Sequence, residues 1–89
     1  MAKSPNQKLK LLYLYQILLQ RTDEEHPITV PQLIGELDLR GIRAERKSVY
    51  DDLEALRLFG LDVQSRKGRS PGWFVGRREF ELPELKLLV

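Results

Sequence analysis

The chain has 89 residues, enough for one small domain, and its 42% apolar and 31% charged residues are ordinary for a folded globular protein. With no cysteine there can be no disulfide and no thiolate metal site, and the single histidine, His26, is too few for a His-based metal centre. Net charge is only +2, yet residues 40–78 carry ten basic and five acidic side chains while the rest of the chain carries five and eight.

A basic half beside an acidic half suggests a surface that faces a polyanion, although a solvated charged face gives the same pattern. The longest apolar run, "LLYLYQILL", contains Gln16 and is far too short to span a bilayer. It is followed by "QRTDEE" rather than by a small-residue cleavage site, so a cytoplasmic protein without a membrane partner is expected.

The opening "MAKSPN" has the composition of a loose terminus. Over residues 7–21, Leu9, Leu11, Leu12, Leu14, Ile17 and Leu18 recur at the spacing of a helix with a broad buried face. "TDEEHP" breaks it, and His26, placed before Pro27, is expected to have no chemical duty. "ITVPQLIGELDLRG" predicts a short second helix. Thr29 is its N-cap or the neighbour of that cap, Pro31 lies in its first turn, and Leu33, Ile34 and Leu37 form its apolar stripe. Gly41 is a suitable stop.

After "LRGIRA" a third helix is predicted over 45–58. Val49, Leu53 and Leu56 stand at i, i+4 and i+7 toward the core, with Arg46, Lys47, Tyr50, Asp51 and Glu54 on other faces and Gly60 at the end. The period then changes to two. "LDVQSR" and "GWFVGRR" predict two strands joined by the turn residues "KGRSPG". Trp73 and Phe74 point to opposite faces, one toward the core and one toward the next segment of chain. "FELPELKLLV" begins a further helix with Pro83 in its first turn. The expected fold is α+β, mainly α: a winged helix-turn-helix of three helices and a β-hairpin wing over 1–78. Residues 79–89 would start a linker helix to a further domain.

One stretch is hard to explain by stability alone. "ERKSVYDDLEALRLFG" places Arg46 and Lys47 in the first turn of a helix, where the macrodipole makes cations unfavourable by roughly 0.3–1 kcal/mol each. A recognition helix entering the DNA major groove N-terminus first would meet phosphate there, and that attraction outweighs the dipole. Arg46 or Lys47 could then read guanine O6 and N7, Ser48 could donate to a phosphate, and Tyr50 could touch a base or sugar.

"RKSVYDDLEALRLFGLDV" followed by "GRSPGWFVGRREFELPELKLLV" resembles the amino-terminal region of the WYL-domain transcriptional regulators, bacterial proteins with a winged helix-turn-helix related to the DeoR type. The resemblance runs from "QKLKLLYLYQIL" onward. It implies a regulator that binds double-stranded DNA, acts as a homodimer through regions beyond this one, and senses an effector on a carboxy-terminal domain not contained in this sequence. In one respect the chain departs from the DeoR type, whose helices commonly carry Arg-Asp-Leu where this one has "DDL" at 51–53. Asp51 would accept from a cytosine amine or turn away and repel misplaced phosphate.

The candidate DNA-binding residues are Arg43, Glu45, Arg46, Lys47, Ser48, Tyr50 and Asp51 around the third helix, with Lys67 and Arg69 in the wing at 66–72, where they can grip phosphates or enter the minor groove. Arg40, with Arg43, could clamp the DNA backbone. The plainer alternatives are a solvated pair at Arg46 and Lys47, core-edge packing for Tyr50, and a turn kept soluble by charge in the wing. No enzyme and no cofactor are expected. Asp51 and Asp52 point about 100° apart on a helix and cannot converge on one atom; Asp52 is expected to meet the backbone or a basic neighbour. No nucleophile–base pair, phosphate-binding glycine loop or metal motif is present. The alternative function is a protein-interaction or dimerisation module that uses the acidic amino-terminal half and the apolar "LPELKLLV".

Overall fold

The computed structural model describes residues 5–77, so the expected linker helix at 79–89 and the amino-terminal "MAKS" lie outside the described residues. The fold is α+β and mainly helical. A 3-10 turn, Pro5–Leu9, leads into α1, Lys10–Arg21; then come α2, Val30–Leu39, α3, Arg46–Phe59, and the antiparallel strands β1, Val63–Arg66, and β2, Gly72–Val75. The expected first helix, 7–21, therefore begins as a tighter 3-10 turn. Leu9 occupies the N-cap and offers no side-chain acceptor, and i→i+3 bonding is one way to satisfy free amides where a cap is missing.

α2 starts on a better device. The Gln32 amide donates to Thr29 Oγ1 at 3.2 Å and the Thr29 amide to Gln32 Oε1 at 2.9 Å, a reciprocal capping box. The helix ends at Arg40, with the amide of Ile42 reaching back to Leu37 O and Gly41 in the left-handed region at φ 77°. α3 runs one residue beyond the expected 45–58 at its far end and starts one residue later, because Glu45 has extended backbone and serves as its N-cap.

The three helices and one face of the hairpin close around Leu14, Ile17 and Leu18 from α1, Leu33 and Leu37 from α2, and Val49, Leu53 and Leu56 from α3, joined by Ile42, Leu61, Val63 and Val75. Burying each such side chain contributes roughly 1.5–3 kcal/mol. The strands pair in the register Val63↔Val75 through Arg66↔Gly72. Trp73 packs against the core on the same face as Val75, and Phe74 is buried on the other face with the Arg66 guanidinium 5.2 Å from its ring centre.

The hairpin is not held by its own ladder alone. Ile28, between α1 and α2, exchanges two backbone bonds with Trp73: its amide donates to Trp73 O at 2.8 Å and its carbonyl accepts the Trp73 amide at 2.7 Å. Gly72 permits this approach, since a Cβ there would lie 2.7 Å from Ile28 O and its φ is 149°. The buried Thr22, just after α1, supplies a second tie. Its hydroxyl donates to Leu18 O at 2.6 Å and accepts the Val75 amide at 3.0 Å.

At the exit of β2, the Asp62 carboxylate accepts the Arg77 amide at 2.7 Å and the Gln64 amide group at 3.0 Å. These bonds, the backbone one first, hold its carboxyl below the usual carboxylate range. A depressed pKa means the stabilisation is present above the unfolded value and fades as pH falls through the folded one.

Replacing Thr22 by valine keeps the shape but leaves the buried Val75 amide without its acceptor. The expected loss is about 1–3 kcal/mol, measured by urea unfolding; an unchanged midpoint would show that the tie carries no stability.

Candidate nucleic-acid interface

α3 is oriented from below by a charge pair. Lys10, 7% exposed, extends from the first turn of α1 to Asp52, with Nζ 2.5 Å from Oδ2, and also donates to Ser48 Oγ. Both partners lie in the first half of α3, four residues apart and so on one face. Lys10 was legible as a core-facing position, because Lys10, Leu14, Ile17 and Leu18 share one helical stripe; its charge conceals that. Asp52 meets a basic partner as expected, but one from a distant segment. Ser48, expected as a phosphate donor, accepts from Lys10 through its oxygen in this α1–α3 seam, which leaves its hydroxyl hydrogen able to donate. A second link joins the same regions: Gln7 Nε2 donates to Arg43 O at 2.8 Å, which sets the amino-terminal turn beside the approach to α3.

The side chains on the outer face of α3 follow the expectation. Glu45, Arg46, Lys47, Tyr50, Asp51 and Glu54 are all exposed. The helix is divided along its length. In its second half Arg57 grips both carboxylate oxygens of Glu54 at 2.9 and 3.1 Å. In its first turn neither Arg46 nor Lys47 has an ion-pair or hydrogen-bond partner among the described residues.

Several other cations show the same contrast, although Lys8, exposed in the 3-10 turn, also has no partner among the described residues. Arg21 and Arg40 both pair with Glu36, at 3.2 and 3.1 Å, and Arg40 also lies over the Tyr13 ring. Arg40 is thereby occupied within the fold, unlike Arg43, whose side chain has no partner among the described residues. Arg66 donates to Glu24 O and covers Phe74, whereas Lys67 and Arg69, beyond it in the hairpin loop, are exposed and have no partner among the described residues. The loop is tight, with Gly68 at φ 87° and Ser70 at φ 54°, so the two cations are carried on a short, constrained turn.

Between α3 and the hairpin runs a groove of about 500 Å³ whose walls include Pro31, Arg46, Tyr50, Arg66, Lys67 and Trp73. Tyr50 is 43% exposed and its ring centre lies 6.0 Å from that of Trp73 at a 58° tilt, so packing against the indole and exposure to a ligand coexist. An aromatic floor with cations on both walls suits a backbone phosphate with its sugar. The carboxylates of Asp51 and Glu54 lie farther along α3, that of Glu54 paired with Arg57. No group of three or more possible metal ligands occurs among the described residues, and no described helix is long and apolar enough to cross a membrane.

The Lys10–Asp52 pair is expected to behave as a buried pair does. Lys10→Met strands the carboxylate and costs roughly 3 kcal/mol, at the low end of the range because Asp52 keeps 24% of its side chain exposed. Lys10→Met combined with Asp52→Leu recovers most of the loss. Denaturant unfolding of the three variants decides the matter, since additive losses would show that the two side chains do not interact.

No family model, no curated protein and no solved structure matches the chain, so any functional conclusion rests on this geometry and on the residues themselves.

Proposed function

We propose that this chain is a winged helix-turn-helix that binds double-stranded DNA as part of a transcriptional regulator. In this arrangement α3 enters the major groove amino-terminus first, and the β1–β2 hairpin acts as the wing on the phosphates or minor groove. The observation that carries it is the division of the cations. The arginines elsewhere on the helices are spent on internal partners, while Arg43, Arg46, Lys47, Lys67 and Arg69 have no partner among the described residues and stand at the start of α3 and the hairpin tip. Two such cations at the positive end of a helix cost stability, and a phosphate ligand at that end reverses the sign.

Arg46 and Lys47 supply the base-edge or phosphate contacts, and Tyr50 lies where a sugar would pass. Asp51 discriminates by accepting from a cytosine amine or by repelling phosphate. The stretch from Arg46 to Val63 and the wing also resemble the WYL-domain regulators of bacteria. This supports a homodimer in the full-length protein, an effector domain beyond this segment, and work in the cytoplasm where the DNA is.

Fluorescence anisotropy with a randomised duplex over a salt series tests this. The logarithm of affinity is expected to fall linearly with the logarithm of salt, with a slope of about −0.9 per phosphate neutralised. Arg46→Ala/Lys47→Ala is expected to make the slope shallower by up to about 2 while leaving the melting temperature nearly unchanged. Trp73, the single tryptophan, lines the groove, so its emission should shift on docking. Absence of binding at low salt would instead indicate an interaction or dimerisation module.

A further inference from the structure

α3 has a different segment of chain on each flank. Arg46 and Tyr50 line the groove shared with the hairpin, where Tyr50 meets Trp73. Ser48 and Asp52 face Lys10 instead. Successive helix residues turn by about 100°, so Ser48 and Asp52 each stand about 160° round the helix from Tyr50. The hairpin and the start of α1 therefore lie on opposite flanks of α3, and the exposed Lys47 and Asp51 point outward between them.

The amino-terminal flank carries cations of its own. Lys8 is exposed in the 3-10 turn Pro5–Leu9 and has no ion-pair or hydrogen-bond partner among the described residues. A solitary lysine on a surface is ordinary, but Lys8 stands on a segment that is located from both sides. Gln7, just before it, donates to Arg43 O at 2.8 Å, and Lys10, two residues after it, is held by Ser48 and Asp52. The residue that Gln7 grips is itself a free cation: the Arg43 side chain is exposed and has no partner among the described residues. Little acid offsets the two. Residues 1–22 contain no Asp or Glu, and Glu45 is the single acid in residues 40–50.

A helix lying in a major groove about 12 Å wide has a phosphate strand on either side of it. Lys67 and Arg69 of the hairpin tip serve the strand on one side. On the footing of the DNA-binding arrangement proposed above, we infer that Lys8 and Arg43 hold the phosphate strand on the flank of α3 opposite the wing. The start of α3 is then gripped from both sides, which sets its rotation in the groove as well as its depth. The 3-10 turn before α1 thereby becomes part of the interface, although no other residue of α1 faces that way.

The test measures anisotropy of the randomised duplex over a salt series with four further variants of the whole chain. Each cation that neutralises a phosphate contributes about 0.9 to the slope of log affinity against log salt. Lys8→Gln is expected to make the slope shallower by about 0.9, and Lys8→Gln/Arg43→Gln by about 1.8. Lys8→Arg keeps the wild-type slope. Arg21→Gln removes a cation at the far end of α1, where it pairs with Glu36, and leaves the slope unchanged. Lys8→Gln melts with the wild type, because its side chain has no internal partner to lose. A wild-type slope in Lys8→Gln overturns the inference while leaving the roles of Arg46 and Lys47 intact. An equal change in Arg21→Gln overturns it as well, since the effect would then be one of total charge. Absence of binding by the wild type at low salt overturns both this inference and the DNA-binding reading on which it rests.

Discussion

The angle of α3 against α1 is set by a charge held out of water. Apolar contacts between two helices tolerate sliding and rotation, because one leucine can replace another at little cost. An ammonium between a carboxylate and a hydroxyl cannot slide, since any displacement leaves a buried ion without its partner. Lys10 therefore acts on α3 as a locating pin, with Asp52 and Ser48 as its socket. The groove beside the hairpin, the outward direction of Arg46 and the Tyr50–Trp73 contact all depend on that angle. The pair need not add net stability to do this; its value is that one orientation is far better than its neighbours.

Much of the fold was legible because it rests on local periodicity. The three helices, the hairpin, the core positions Val49, Leu53 and Leu56, and the stops at Gly41 and Gly60 all come from spacing within about a dozen residues. The hidden features depend on partners far away in sequence. Ile28 carries no strand pattern, since it pairs as a single residue between Pro27 and the α2 cap. Thr22 looks like any polar residue after a helix until the Val75 amide arrives at its hydroxyl. For the candidate site, the exposure of Arg46, Lys47 and Tyr50 could be read from the helical wheel. The engagement of Ser48 could not, because Lys10 reaches it from another helix, whereas the Arg40–Glu36 pair is a local contact at i, i+4.

Charge is distributed along α3 in a way that stability would not choose. The amino-terminal turn carries cations against the dipole with no acid in it, while the acid–base pair that favours a helix, Glu54 with Arg57, stands in the second half. The helix tolerates this because its buried stripe, rather than its surface, holds it in place. Burial of Val49, Leu53 and Leu56 is worth several times the dipole penalty of two exposed cations. A well-packed inner face thus leaves the outer face free to carry charges selected for something other than folding.

The bond pair between Ile28 and Trp73 also bears on the order in which the molecule assembles. A lone two-stranded hairpin is marginal in water, and this one completes its sheet only with a residue that precedes two of the three helices. Thr22 with Val75 and Lys10 with Asp52 close loops of comparable length. Such contacts gain nothing until the intervening chain has been ordered. Helix contacts are local, whereas the hairpin's tie joins Trp73 to Ile28 across the whole of α2 and α3. The two cations at its tip therefore stand on an element whose anchoring comes from residues far back in the chain.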